Sequence, residues 1–414
     1  MIKYIKIKKL LSLFFLLILA TAGCKKSGDE GYVTDLPTLT TKAVSRLTRT
    51  TATLGGIFTS SGNVTLTDRG LCYNISPNPT ITDKKFSSGV GTNNFETDLT
   101  NLTPNTAYYA RAYATTDKGT VYGNEIAFST INGPDVYVAG GDNIYPIYWL
   151  NGFATTLPSI SGLAFGIAMS GSDVYVGGFE FAGATIWKNG TPVRVSQYAR
   201  SLVTSMEASG SNVYATAYEE LPSGGTRAKL FTNGVSATLP AINYFSYAYS
   251  VFVSGSDVYV AGADDIVPTI WKNGAPIRYN FNGRANDVFV SGTNVYVAAT
   301  EENGVTRARV GKNGVFTTLS NSESSANSVC VSGSDVYVAG AEDINGIPIA
   351  TLWKNGIATR LSNVGSVLHS VAVSGTDVYV VGIANNKACL WKNGTLIQLS
   401  STNGSRAYSV VLKF

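Results

Sequence analysis

The dipeptide Val-Tyr follows Asp or Asn seven times in the last two-thirds of the chain, at intervals of 37 to 45 residues. The seven tyrosines are Tyr137, Tyr175, Tyr214, Tyr259, Tyr296, Tyr337 and Tyr379. Each unit consists of short β-branched and aromatic runs separated by turn residues. A repeat of about 40 residues with four strands is typical of one blade of a β-propeller. We therefore predict an all-β chain with a seven-bladed β-propeller of four-stranded blades over residues 132–414.

The unit at residues 328–361 illustrates the four predicted strands. They cover 328–331, 336–339, 349–354 and 357–361, and an Asn-Gly pair separates the last two. Asn-Gly is the strongest short indication of a tight β-hairpin, because both turn residues need a positive φ. Every unit has this pair, with its asparagine at Asn151, Asn189, Asn233, Asn273, Asn313, Asn355 or Asn393.

Five units have a tryptophan two residues before this asparagine, whereas Phe231 and Gly311 occupy that position in the other two. The tryptophans are Trp149, Trp187, Trp271, Trp353 and Trp391. Rings that repeat around a propeller are expected to pack one blade against the next. Stacking on a sugar is the alternative role of such rings. We predict that they form the core.

The two ends of the repeat region predict how the ring closes. The first Val-Tyr unit has no strand of its own before residue 135, whereas residues 407–412 form a spare strand at the end of the chain. We expect this last strand to become the innermost strand of the first blade. Closure of this kind removes the exposed sheet edges that promote aggregation.

The amino terminus has the pattern of an export signal. Four lysines precede an apolar run over residues 10–20, and the small residues at 21–23 lead directly to Cys24. The run is too short to span a bilayer, which takes about 20 residues. Cys24 after small residues resembles a bacterial lipobox, in which this thiol is acylated. The resemblance implies a lipoprotein signal peptide at 1–23 and a lipidated Cys24 with a tether over 24–36.

Residues 37–131 read as short strands separated by turns. The stretch 102–108, Leu-Thr-Pro-Asn-Thr-Ala-Tyr, resembles the corner of fibronectin type III domains, where the tyrosine hydroxyl binds backbone between two sheets. The resemblance implies a β-sandwich, most often a spacer. A sandwich of this kind followed by Val-Tyr-Val-Ala-Gly and Trp-Lys-Asn-Gly repeats makes the chain similar to surface lipoproteins of the Bacteroidota. That similarity implies an outer-membrane lipoprotein exposed at the cell surface.

Charge and composition argue against several classes of function. Removing the signal lowers the number of Lys and Arg residues from 31 to 27, which equals the number of Asp and Glu residues. A nucleic-acid-binding protein needs a concentrated basic field, so we expect no nucleic-acid partner. His369 is the only histidine, and Cys72, Cys330 and Cys389 form no disulfide framework. We therefore predict no catalytic residues, no metal and no cofactor.

Acidic residues recur at one position after the second strand of the units. They are Asp142, Glu180, Glu219, Asp264, Glu301 and Glu342, and Ala384 interrupts the series. Lysines precede the Asn-Gly turns at the opposite end of the strands, at Lys188, Lys272, Lys312, Lys354 and Lys392. We hypothesise a propeller with an acidic face and a basic face. The alternative is that both sets are simply solvated, and a ring this wide cannot chelate a divalent cation.

One position of the predicted inner strands varies from unit to unit while its neighbours repeat. Its residues are Phe165, Thr204, Tyr249, Asn286, Asn327, His369 and Tyr408. We expect them to face the mouth of the ring, where aromatic and amide side chains suit a sugar or a peptide. Arg200, Arg284 and Arg406 lie in the same connections and can supply charge. The alternative is neutral variation at a solvated rim.

These observations favour a monomeric, lipid-anchored binding protein of the cell envelope over an enzyme. Its partners are expected to be the membrane, through Cys24, and a glycan or protein ligand at the mouth. A structural or assembly platform of the envelope is one alternative. A glycan hydrolase or lyase with paired carboxylates in the acidic loops is the other.

Overall fold

All regular elements of the described residues are β-strands. The structure is a computed structural model that describes residues 35–181, 183–196, 198 and 200–414. The predicted signal peptide, Cys24 and nearly all of the tether lie outside these residues. Within them, no helix is long and apolar enough to cross a membrane.

The first eight strands form two sheets around one apolar core. These strands are β1 (Thr38–Leu47), β2 (Ala52–Ser60), β3 (Leu66–Asn74), β4 (Lys84–Ser87), β5 (Phe95–Leu99), β6 (Ala107–Thr116), β7 (Gly119–Tyr122) and β8 (Ile126–Ser129). One sheet has the order β1-β2-β5, and the other has the order β4-β3-β6-β7 with β8 also paired to β6. Leu54, Leu71 and Leu99 are buried between them. The backbone N–H of Thr103 donates to the Tyr108 hydroxyl at 3.0 Å, as the fibronectin resemblance implies.

The remaining 28 strands, which are the repeats, begin at residue 135. Sheet 1 contains β9 (Asp135–Asp142), β10 (Tyr145–Leu150) and β11 (Phe153–Thr156). Sheet 2 contains β12 (Gly162–Ser170), β13 (Asp173–Glu180), β14 (Gly183–Lys188) and β15 (Thr191–Arg194). Sheet 3 contains β16 (Ser201–Ser209), β17 (Asn212–Glu220), β18 (Thr226–Thr232) and β19 (Val235–Thr238). Sheet 4 contains β20 (Ser246–Ser254), β21 (Asp257–Asp264), β22 (Val267–Lys272) and β23 (Ala275–Arg278).

The chain continues with the same four-strand pattern. Sheet 5 contains β24 (Gly283–Ser291), β25 (Asn294–Asn303), β26 (Val305–Lys312) and β27 (Val315–Thr318). Sheet 6 contains β28 (Ser324–Ser332), β29 (Asp335–Ile344), β30 (Ile347–Lys354) and β31 (Ile357–Arg360). Sheet 7 contains β32 (Ser366–Ser374), β33 (Asp377–Ala384), β34 (Lys387–Lys392) and β35 (Thr395–Gln398). The last strand is β36 (Arg406–Lys413).

The last strand joins the first sheet of the repeats. Sheet 1 has the order β11-β10-β9-β36, so residues more than 260 positions apart become neighbours. Val410 lies opposite Val138, and Leu412 lies opposite Val136. The described residues from 135 onwards therefore form seven antiparallel sheets of four strands each. This pairing agrees with the prediction from the sequence.

The first strands of the sheets contact one another in chain order. β12 contacts β16, and the contacts continue through β20, β24, β28 and β32 to β36, which also contacts β12. Apolar clusters lie between successive sheets rather than within one sheet. Trp271 of sheet 4, for example, shares a cluster with Ala228 of sheet 3 and with Leu239, which follows the last strand of sheet 3, and it is fully buried. The architecture is propeller-like, and the five tryptophans belong to its core.

The Asn-Gly turns define what we name the lower end of the seven sheets. Their asparagines all have φ of 50° or 51°, and each following glycine has a positive φ as well. In sheet 4, Asn273 Oδ1 accepts the backbone N–H of Val258 at 2.8 Å, and its Nδ2 donates to Asp257 at 2.8 Å. Each turn thus ties the third strand to the start of the second, which explains why the pair recurs.

Candidate functional site

The seven variable residues of the inner strands are all β-bulge residues. In sheet 5, Ala285 pairs with Ala299 and Asp287 pairs with Ala298, so Asn286 between them has no partner on the second strand. The other six sheets shift register at the same position, leaving Phe165, Thr204, Tyr249, Asn327, His369 and Tyr408 unpaired. A bulge re-aims a side chain that the regular ladder would direct into the neighbouring sheet.

These bulge residues meet at one end of the inner strands, which we name the upper end. Together with Arg284 they line a cavity of about 390 Å³, which we name the mouth. Its lining residues are Phe165, Thr204, Tyr249, Arg284, Asn286, Asn327, His369 and Tyr408. The structure therefore brings all seven residues selected from the sequence into one site. None of the described residues that line it carries a carboxylate.

The mouth has a polar side whose groups also bind backbone. Thr204 Oγ1 donates to the carbonyl of Ala248 at 2.8 Å. Asn286 Nδ2 and Asn327 Nδ2 donate to the carbonyls of the next inner strands at 2.7 and 2.8 Å. Each of these side chains links its own sheet to the following one. Their remaining oxygen lone pairs are the groups left for a ligand.

The opposite side of the mouth is aromatic. The rings of Phe165 and Tyr408 lie 4.7 Å apart between centroids, and those of His369 and Tyr408 lie 5.1 Å apart. We name these three residues the aromatic arc. Tyr249 stands apart from the arc and stacks on Tyr247, with centroids 6.0 Å apart. Tyr247 is a neighbour that sequence inspection did not identify.

His369 is neutral in this setting. Burial, and secondarily the charge of Arg406, lowers the pKa of its imidazole to about 4. Its Nε2 is buried and has no hydrogen-bond partner among the described residues. Buried polar atoms are nearly always paired, so this nitrogen is a candidate to bind a ligand group.

The six recurring acids lie at the upper end, but they do not form a free acidic surface. Asp264 is fully buried and binds Arg278 at 2.6 Å. Glu219, Glu301 and Glu342 bind Lys229, Arg309 and Arg360 at 3.2, 3.4 and 3.3 Å. Asp142 accepts hydrogen bonds from Ser400 and Thr402, and Glu180 completes the set at the end of β13.

Basic residues at the upper end therefore neutralise most of the predicted acidic ring. Burial alone would raise the pKa of Asp264, but hydrogen bonds from Ile242 N–H and Arg278 hold it below its ordinary value. Within the described part of the chain, no group of three or more His, Cys, Asp or Glu residues could hold a metal ion.

Four of the five lysines at the lower end are neutralised in the same way, whereas Lys312 lies over Tyr296 and has no ion pair among the described residues. Lys188, Lys272, Lys354 and Lys392 bind Asp173, Asp257, Asp335 and Asp377 at 2.7 to 2.9 Å. Each of these ammonium groups also lies over the tyrosine of its Val-Tyr pair. The hypothesis of one acidic and one basic face is therefore wrong. Cross-strand partners that the sequence pattern did not reveal compensate four of the six acids and four of the five lysines.

An acidic pair lies farther along the inner strands. Burial, and secondarily the charge of Asp287, raises the pKa of Glu207 to about 7. Asp287 accepts hydrogen bonds from Ser250 Oγ at 2.5 Å and from the N–H groups of Val288 and Val329 at 2.9 Å. Burial nevertheless raises its pKa above the ordinary value. The positions equivalent to Glu207 hold Ala168, Phe252, Phe289, Cys330, Ala372 and Val411.

The five tryptophans are at most 1% exposed, so they cannot stack on a ligand in this structure. Cys72, Cys330 and Cys389 are buried and free. Burial raises the pKa of the Cys72 and Cys330 thiols to about 11 and that of Cys389 as well. These thiols are therefore protonated and inert near neutral pH.

Comparison with protein-family models and with curated proteins gave no match. Several solved structures are similar. An acylaminoacyl peptidase from Pyrococcus horikoshii (12% identity, TM-score 0.41) aligns over 72% of this chain and 51% of its own. A puromycin-hydrolyzing peptidase from Mycobacterium tuberculosis (13% identity, TM-score 0.44) aligns over 72% and 52%. A DUF4784 family protein from Bacteroides caccae (10% identity, TM-score 0.31) aligns over 91% and 98%.

The chain spans about half the length of the two peptidases. All three TM-scores lie below 0.5, so these similarities carry no argument about what the chain binds or whether it catalyses a reaction.

Proposed function

We propose that this protein is a lipid-anchored glycan-binding protein of a bacterial cell envelope and that the mouth is its ligand site. The seven sheets are the blades of one closed propeller, and the domain at 37–131 is a spacer between the ring and the acyl chains on Cys24. The lipobox and the repeats, which resemble those of Bacteroidota lipoproteins, support an outer-membrane location. One observation carries the proposal: seven separate bulges direct seven variable side chains into a single cavity.

The chemistry of the mouth suits a sugar. Aromatic faces stack against the C–H groups of a pyranose ring, and nearby amide, hydroxyl and guanidinium groups pair with its hydroxyls. The aromatic arc supplies the faces, while Asn286, Asn327 and Thr204 supply oxygens on the opposite side. A cavity of about 390 Å³ falls within the range of small-ligand sites.

Binding is favoured over hydrolysis by the placement of the carboxylates. A glycoside hydrolase holds two carboxyl groups across the bond that it cleaves. In this chain Glu219, Asp264, Glu301 and Glu342 are committed to ion pairs, and none of the six recurring acids lines the mouth. We therefore assign no catalytic role to them.

A glycan array probed with the full-length chain in detergent tests the proposal. We expect glycan binding, and we expect the double variant Tyr249→Ala/Tyr408→Ala to lose at least tenfold in affinity. Tyr145→Ala is the matched control, because Tyr145 is 46% exposed and lies outside the mouth. Thermal unfolding of each variant separates lost binding from lost folding.

Three outcomes contradict the proposal. Equal binding by the double variant and the control places the site elsewhere on the molecule. Binding to a peptide array but to no glycan favours protein recognition, and no binding to either array favours a structural platform.

The anchor is tested independently of the ligand. We expect the wild-type chain to sediment with membranes and to incorporate labelled fatty acid, because several acyl chains on one cysteine anchor stably. Cys24→Ser should abolish the label. A chain that is labelled equally with and without Cys24 refutes the lipobox.

A further inference from the structure

Two arginines occupy the same position at the upper end of different sheets. Arg284 lies two residues before the bulge residue of sheet 5, and Arg406 lies two residues before that of sheet 1. Arg284 faces Thr300 on the second strand, and Arg406 faces Gly141. Both side chains are exposed, and Arg284 is one of the residues that line the mouth.

The two guanidinium groups differ in their partners. Arg284 binds Glu302 at 2.7 Å and Asn286 at 3.1 Å, so its charge is already compensated. The residue of sheet 1 that corresponds to Glu302 is Asn143. Among the described residues Arg406 therefore has no carboxylate partner, and its Nη1 lies 3.5 Å from the Tyr408 hydroxyl.

The two titratable groups nearest to Arg406 along these strands form no ion pair with it in the described part of the chain. His369 is uncharged near neutral pH because burial, together with Arg406 itself, lowers its pKa. Asp142, the residue after Gly141, accepts hydrogen bonds from Ser400 and Thr402 instead. The aromatic arc is thus bordered by a guanidinium without an ion pair and by an unpaired ring nitrogen.

We propose that the aromatic arc binds an anionic sugar residue, with its carboxylate or sulfate ester on Arg406 and its ring on Tyr408 and Phe165. A guanidinium binds either anion through two parallel hydrogen bonds, which an ammonium group cannot do. His369 Nε2 pairs with a hydroxyl of the same sugar. This inference rests on the proposed glycan function and adds the charge of the ligand to it.

Titration calorimetry of the full-length chain tests the inference with three oligosaccharides of equal length: a polyuronate, a sulfated chain and a neutral chain. We expect at least one anionic chain to bind ten times more tightly than the neutral one and to weaken as ionic strength rises. Arg406→Gln should remove that preference and most of the salt dependence.

Arg200→Gln is the matched control, because Arg200 is also an exposed upper-end arginine but its charge is compensated by Glu220. If only one of the two anionic chains binds and Arg406→Gln abolishes that binding, the inference is supported and the anion is identified as a carboxylate or a sulfate ester. Equal affinity for the anionic and neutral chains, or equal effects of the two substitutions, overturns the inference while leaving glycan binding intact. Binding of no oligosaccharide overturns both proposals.

Discussion

The two ends of the seven sheets are built from the same strands but follow different rules. At the lower end the same contacts recur: the turn asparagine binds the N–H of the Val-Tyr valine in every sheet, at 2.8 or 2.9 Å. At the upper end seven bulges hold five residue types. The bulge residues have no partner on the second strand, so the ladder does not constrain their identity. Repetition therefore marks the contacts that hold the sheets together, and the variable bulge positions form the surface that we propose as the ligand site.

Asp264 breaks this division, because it is an upper-end residue with a structural role. It receives hydrogen bonds from Ile242 N–H and Asn243 N–H and an ion pair from Arg278. Asp264→Ala leaves the partly buried Arg278 guanidinium and two N–H groups unpaired, so we expect a loss of about 3 kcal/mol in the free energy of unfolding. Urea denaturation measures it.

The control for Asp264 is Glu302→Ala, because the Glu302–Arg284 ion pair lies at the same end but is exposed. An exposed pair contributes about 1 kcal/mol or less. Similar losses for the two variants contradict the distinction between buried and exposed acids.

Glu207 tests whether variable positions are confined to the mouth, because its position varies between sheets but does not line the mouth. Burial and the neighbouring Asp287 raise its pKa from 4.5 to about 7. As the pH rises from 4.5 to 7, Glu207 loses its proton in the unfolded chain but keeps it in the folded protein. The free energy of unfolding therefore falls over this range, and the whole decrease is present above about pH 7. A shift of this size corresponds to about 3 kcal/mol.

Glu207→Gln removes that ionisation. We expect it to raise the free energy of unfolding at pH 8 by about 3 kcal/mol and to change it little at pH 4, as followed by urea denaturation. His369 titrates in both proteins, so its contribution cancels in the difference. A difference between variant and wild type that does not change with pH refutes the assignment.

Two interfaces between sheets lack the repeated tryptophan, and the space that its ring would occupy is filled differently in each. Where Gly311 replaces it, the rings of Phe316, Tyr279 and Phe281 fill the space, with Phe316 4.8 Å from Tyr279 and 5.0 Å from Phe281. In five sheets the residue that follows the last strand is a leucine, but after sheet 2 it is Val195. Where Phe231 replaces the tryptophan, it faces this smaller residue, and a largely apolar cavity of about 290 Å³ opens between sheets 2 and 3.

Phe231→Trp should fill part of this cavity and stabilise the protein by about 1 kcal/mol, because cavities weaken a core in proportion to their volume. Differential scanning calorimetry measures the rise in Tm. Trp271→Phe, the reverse change at the next interface, should lower Tm. A fall in Tm for both variants means that Phe231 already fits its site.

The sequence predicts much of this molecule because the repeat supplies seven alignments of each strand. Strand pairs, Asn-Gly turns, the closing strand and the seven mouth residues all come from positions in register. The bulges could not be predicted in this way, because every unit has the same extra residue and the repeat pattern therefore stays regular. The neutralised ends were missed because ion pairs join different strands. An arginine ends the fourth strand in three units, at Arg194, Arg278 and Arg360, a pattern that could have indicated partners for the acids.

Affinity and stability measured together for two tyrosine variants test the account most directly. Tyr408 belongs to the mouth, whereas Tyr379 is 3% exposed in the core and repeats in every unit. The account predicts that Tyr408→Ala loses at least tenfold in affinity for the glycan found on the array and keeps its Tm within a few degrees. Tyr379→Ala should lose about 3 kcal/mol of stability and keep the affinity of its folded fraction. Loss of affinity in Tyr379→Ala with full affinity in Tyr408→Ala would contradict the assignment of the mouth as the ligand site.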